Sequence, residues 1–196
     1  GADLFKVLVN GLKVKETTWG QKDNTGHFTS TPWAGGSTSH FNVGEGKTQA
    51  NKYIRWYVPD NYDKKYGYDG SASEWYRGTA QLNFGQRYDY RLEYTYQALD
   101  TGKFGVGTQM RDLEITDLLP QKDNKNGVMP YLVGPVQIEQ SAGAQFEIWY
   151  KVGDDWTTSP SDYRQVSGVR IKQVYGMGGI NVGDSVRFIL PMRVPS

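Results

Sequence analysis

The feature that most narrows the folds open to this chain is a repeated two-residue alternation of apolar and polar side chains, with no helical period competing with it. In SVRFILPMRV, Val186, Phe188, Leu190, Met192 and Val194 share one face, and Arg187 and Arg193 take the other. In QRYDYRLEYTYQ, Tyr88, Tyr90, Leu92, Tyr94 and Tyr96 oppose Asp89, Arg91, Glu93 and Thr95. In GVRIKQV, Val169 and Ile171 oppose Arg170 and Lys172. Side chains of a strand point to its two faces in turn, so each run reads as a strand with one packed and one wet face. Further strands are expected over 4–9, 12–19, 38–43, 52–58, 74–84, 103–118, 130–138 and 144–152. Turn-formers such as Asn10-Gly11, Asp100-Thr101-Gly102 and Gly153-Asp154-Asp155 separate them. Many short strands at this spacing predict an all-β fold, an antiparallel β-sandwich of immunoglobulin-like or jelly-roll type.

A chain of 196 residues fits one such domain, 1–196, and can bury a core without staples. There are no cysteines, which excludes disulfides and thiol chemistry. Residues 86–196 are regular strand and turn, whereas 20–80 hold long Gly/Ser/Thr/Asn stretches and a dense aromatic run. The alternative division is therefore a small lobe, 1–85, beside a sandwich, 86–196. A net charge of +1 with lysine and aspartate interspersed lacks the basic stripe that nucleic acid requires. No apolar run is long enough to span a membrane, and GADLFKVLV has neither the basic start nor the apolar stretch of a signal peptide. An exported chain would thus be a mature or excised piece, and the stop at MRVPS, directly after a strand pattern, reads as a boundary within a longer protein.

Candidate chemistry is sparse. His27 and His40 sit among Gly, Ser and Thr with no carboxylate at metal-ligand spacing, so no zinc site is expected. Asp60, Asp63 and Asp69 offer oxygen ligands of the kind Ca²⁺ takes, but Lys64 and Lys65 lie among them, and a solvated turn is the expectation. GGSTS at 35–39 is no nucleophile elbow, and GMGG at 176–179 precedes no helix that could hold a phosphate. A Tyr- and Trp-rich jelly roll could instead act on polysaccharide with two carboxylates across a cleft, and Glu93 and Glu147 are the pair best placed for it. Against that pair, both alternate with basic residues on wet strand faces.

The aromatic run carries more. If Ile54, Trp56 and Val58 face the core, Tyr53, Arg55 and Tyr57 face out; if Tyr76, Leu82 and Phe84 face in, Trp75 and Arg77 face out. Flat rings flanked by arginine stack on sugars or anchor a protein partner. They also close over one another as a cross-strand cluster, and the two readings stand level here. Tyr53, Tyr57, Trp75 and Arg77 are the candidate ligand-binding residues, and no catalytic residue, metal or cofactor is expected.

An ordered set of motifs over about 86–196 resembles a β-sandwich repeat module of Gram-positive bacterial cell-wall-anchored surface adhesins. Asp117 to Pro120 ends a strand in Asp-x-Leu-Pro, a polar loop follows, and Leu132 to Val136 reads Leu-x-Gly-Pro-Val. A strand holding Ile148 to Tyr150, a loop with Trp156, the Val169–Lys172 strand and the Gly183-Asp184 turn complete the set. The resemblance implies a non-enzymatic role at the cell surface, as an adhesive head for a host matrix protein or glycan or as a stalk beside neighbouring domains. It also implies, in some modules, a Lys–Asn isopeptide bond helped by a buried acid. Lys6 would be the amine here, but the last strand has no Asn, and Asn181 falls in a turn.

Overall fold

A computed structural model of the chain describes residues 4–17, 19–22, 28–30, 39–42, 50–58, 71–97, 109–119 and 129–196. The expected loop at 121–128, the Asp60/Asp63/Asp69 cluster, His27 and the start of the 103–118 run lie outside them. The strands, in chain order, are β1 (Phe5–Val7), β2 (Leu12–Thr17), β3 (Trp19–Lys22), β4 (Phe28–Ser30), β5 (Ser39–Asn42), β6 (Ala50–Trp56), β7 (Ala80–Leu82) and β8 (Arg87–Thr95). They continue as β9 (Gln109–Met110), β10 (Asp112–Leu118), β11 (Tyr131–Leu132), β12 (Gln137–Gln140), β13 (Phe146–Val152), β14 (Asp155–Thr157), β15 (Val166–Gln173), β16 (Ile180–Asn181) and β17 (Ser185–Arg193).

Every pairing among the described strands is antiparallel, and two main sheets pack against each other. One runs β14-β13-β15-β10-β2-β5, and the other β11-β17-β8-β6 with β12 also on β17. The fold is the all-β sandwich that the alternation predicts. Strands from the first 85 residues lie inside both sheets, β2 on β10 and β6 on β8. One helical turn, Tyr163–Gln165, stands among the described residues, and no helix among them could cross a membrane.

The core is built from the inward phases of these strands. Tyr88, Tyr90, Leu92 and Tyr94 of β8 face Leu113 and Ile115 of β10, Val14 of β2 and Ile171 of β15, all essentially inaccessible. Phe146 meets Phe188 edge-on at 5.0 Å, an aromatic contact that joins the two sheets. A buried phenol needs a partner, and Tyr90 donates to the Leu8 carbonyl at 2.7 Å. Lys52 also lies on the inward phase of β6. Its ammonium reaches Asp117 of β10 at 2.9–3.0 Å and the Asn10 carbonyl at 2.8 Å, over the Tyr90 ring at 3.9 Å. Burial lowers the lysine and raises the aspartate, and each partner's charge opposes the shift of the other.

Between β1 and β2 the chain turns at Asn10-Gly11, where Gly11 has φ +85° and a Cβ would stand 2.3 Å from the Leu118 carbonyl oxygen. Only glycine meets both demands without strain. Gly11→Ala is therefore expected to destabilise the fold by about 2 kcal/mol, read as a lower urea midpoint at unchanged m-value.

The 74–84 expectation needs correcting. Only Ala80–Leu82 form a strand there; residues 71–79 follow β6 through a few hydrogen bonds, among them Ile54–Tyr76 in both directions at 2.9 and 2.8 Å. Without a continuous ladder the alternation lapses, so Leu82 is buried but Tyr76 and Phe84 are 48% and 40% exposed. Tyr76 packs edge-on against Trp56 from outside, and Phe84 against Phe5. Val58, past the end of β6, is exposed too.

Candidate functional site

Alternation along β6 and β8 lays a charged, aromatic face on the outside of the smaller main sheet. The register puts Tyr53 beside Arg91, Arg55 beside Asp89 and Asn51 beside Glu93, with Arg187 of β17 beyond Glu93. The segment after residue 71 folds back along β6, tied by Val58 N–H to the Ser71 carbonyl and Ser73 N–H to the Trp56 carbonyl. That return carries Trp75 onto the face. Its ring centre lies 4.4 Å from the Arg55 guanidinium carbon and 4.2 Å from that of Arg91. Each contact is worth about 0.5–2 kcal/mol as a cation–π pair.

Asp89 anchors one end of this face. Although it points outward it is only 2% exposed, because Tyr57 donates to it at 2.7 Å, Arg55 at 3.1 Å, and Arg87 stands 3.6 Å away. Glu93 anchors the other end. Arg187 donates to it at 2.7 Å, and the Tyr53 hydroxyl is 3.5 Å away. Arg91 meets Glu139 at 2.8 Å. Burial, then Glu93, pushes the Tyr53 phenol up; burial, then the hydrogen bond to Asp89, does the same to Tyr57. Both hydroxyls thus stay protonated donors near neutral pH. Arg77 is exposed and close enough for its charge to act on Tyr53.

The four expected residues, Tyr53, Tyr57, Trp75 and Arg77, therefore share one neighbourhood. Reading the sequence did not reveal that Arg87, Asp89 and Arg91 frame them. Among the described residues, five arginines (55, 77, 87, 91, 187) stand here against the three carboxylates that pair with arginines of this face, Asp89, Glu93 and Glu139. The rings are half-buried and arginines already reach the Trp75 and Tyr57 rings, so the described part of the face is a preorganised plate.

The carboxylate pair does not assemble. Glu93 lies on β8 and Glu147 on β13, in different sheets, and each sits on the outward phase of its strand. The thickness of the sandwich separates them, so they cannot flank one glycosidic bond as the two-carboxylate mechanism requires. Glu93 is held by Arg187 instead. Lys6 fails as a buried amine: it is exposed on β1, its backbone opposite Gln81 of β7. Asn181, on β16, is exposed and accepts from Gln109. Among the described residues no group of three or more His, Asp or Glu side chains gathers to hold a metal. No family model, curated protein or solved structure matches this chain.

Proposed function

We propose that this chain is a non-enzymatic module of a bacterial cell-surface adhesin, displayed outside the cell through regions beyond this sequence, and that it holds a host matrix protein or glycan on the outer face of β6 and β8. The observation that carries the reading is the fixed plate of Trp75, Tyr53 and Tyr57 with its surplus of guanidinium groups. Rings and arginines locked by their neighbours lose little conformational freedom on binding, which is what makes Trp, Tyr and Arg the usual centres of interface energy. The motifs quoted above supply the cell-surface half of the proposal.

A second reading rests on the same geometry. Because Arg55 and Arg91 already engage Trp75, and Asp89 already takes Tyr57, the cluster can serve as a stiffener in a stalk domain between neighbours. Solid-phase binding against host matrix proteins and polysaccharides separates the two. The expected result is saturable binding that Trp75→Ala weakens by about thirtyfold, the loss of one hot spot of about 2 kcal/mol. Silence across the panel favours the stalk. Shortening of any polysaccharide in the wells would overturn the non-enzymatic assignment.

A further inference from the structure

We infer a second binding site, for an anionic polysaccharide, on the outer face of the larger sheet, on the opposite side of the sandwich from the Trp75 plate. The outward phases of five strands, β2, β10, β15, β13 and β14, form it. Leu118, Gly168, Lys151 and Trp156 lie in one row; Lys13, Thr116, Arg170 and Trp149 in the next; Lys15, Glu114, Lys172 and Glu147 in the third. A cleft of about 400 Å³ opens over these rows, with Lys13, Lys15, Lys151, Arg170 and Trp156 around it. That volume lies in the usual range for ligand pockets.

Charge selects the occupant. Arg170 is paired with Glu114 at 3.0 Å, but no carboxylate among the described residues pairs with Lys13, Lys15 or Lys151. Three ammonium groups unanswered by the described carboxylates around one cleft favour a polyanion and disfavour a neutral sugar. Lys13 and Lys15 sit on β2 and Lys151 on β13, strands that lie three spacings or about 14 Å apart, so a linear chain laid obliquely across the strands meets cations at both ends.

Trp156 supplies the flat surface. Its ring lies over Gly168, where a Cβ would touch the indole at an ordinary 3.5 Å and crowd only Leu118 Cδ2, at 3.1 Å. The Arg170 guanidinium holds it at 4.1 Å. An acidic peptide is the poorer fit. Peptides bound to sheets take main-chain hydrogen bonds from an exposed edge, whereas β13, β15, β10 and β2 are paired on both sides and offer only side chains.

The test titrates the whole chain, at low and physiological salt, with heparin (sulfated), hyaluronate (carboxylate only), neutral dextran and poly-glutamate. Binding to one or both anionic glycans, falling steeply with salt and absent for dextran, is expected. Lys13→Glu with Lys15→Glu should weaken it at least tenfold. Both residues are exposed, so the fold is kept, and the melting curve checks this. Lys6→Glu changes charge at the one exposed position of β1 and should leave binding intact. Trp156→Ala should weaken binding to the glycan without abolishing its salt dependence. Failure to bind either anionic glycan, indifference to the Lys13/Lys15 exchange, or equal loss with Lys6→Glu would each overturn the site. Preference for poly-glutamate would replace the glycan with an acidic protein partner and overturn it as stated.

Discussion

Lys52→Met is expected to cost the fold about 3–5 kcal/mol, because it strands the Asp117 carboxylate in the core with nothing to offset its charge. Both side chains are fully inaccessible, and their contact bridges β6 in one sheet and β10 in the other. For a domain of this size that loss corresponds to a melting temperature lower by roughly 6–20 °C. Lys52→Met combined with Asp117→Leu should recover most of it, since a buried pair replaced by apolar groups of similar volume is often neutral or better. The Asn10 carbonyl, which loses a donor in either variant, belongs to an exposed residue and can turn to water. Denaturant midpoints of the wild type, both single variants and the double variant give the coupling directly. If the double variant is as unstable as the worse single variant, the pair is not what holds the sheets together. The intact mass provides a separate check. A mass equal to that of the sequence is expected for an ion pair, and one lower by a single water would mean that the two groups had condensed to an amide.

The same pair shows where a sequence stops being legible. Lys52 is in phase with Ile54 and Trp56, and Asp117 with Leu113 and Ile115, so each stands as a charge on a core-facing phase. Two such residues of opposite sign were the available signal. Nothing local says that strands 65 positions apart will face each other, and only the tertiary packing makes them partners. The long strands were readable because one buried face fixes their register: a one-residue slip of β8 would put Tyr88, Tyr90, Leu92 and Tyr94 in water. Residues 71–79 were not, because scattered backbone bonds to β6 impose no such phase. Trp75 fell on the outside as expected, yet Tyr76 is exposed as well, so placing Trp75 depended on the chain's return path and not on alternation alone. The lysines of β2 alternate plainly in LKVKET. Their meaning comes from Trp156, brought to the far side of the same cleft by β13, β14 and β15 from more than a hundred residues away.

Stability should fall as pH rises from about 4.5 to about 7, and Glu16 is the expected cause. It lies on β2, 4% exposed, with the Tyr94 hydroxyl donating to its carboxylate. Burial outweighs that hydrogen bond and pushes the carboxyl from an ordinary 4.5 up to about 7. Between those values the folded chain holds more protons than the unfolded chain, so the slope of stability against pH is negative. The full swing is on the order of 3 kcal/mol, complete once pH exceeds about 7. Tyr94 and Tyr96, the phenols beside it, are pushed upward by burial and by Glu16, so they stay neutral across this window. Glu16→Gln keeps the shape and an acceptor for Tyr94 while removing the titration. Urea midpoints at pH 5 and pH 8 should differ clearly in the wild type and little in the variant, with the variant the more stable protein at pH 8. A variant that kept the wild-type slope would transfer the effect to Asp117, whose carboxyl burial also raises. Lys52 acts in the opposite sense: its lowered value makes a contribution to stability that grows as pH rises toward 10.5, so it cannot account for a loss between pH 5 and pH 8.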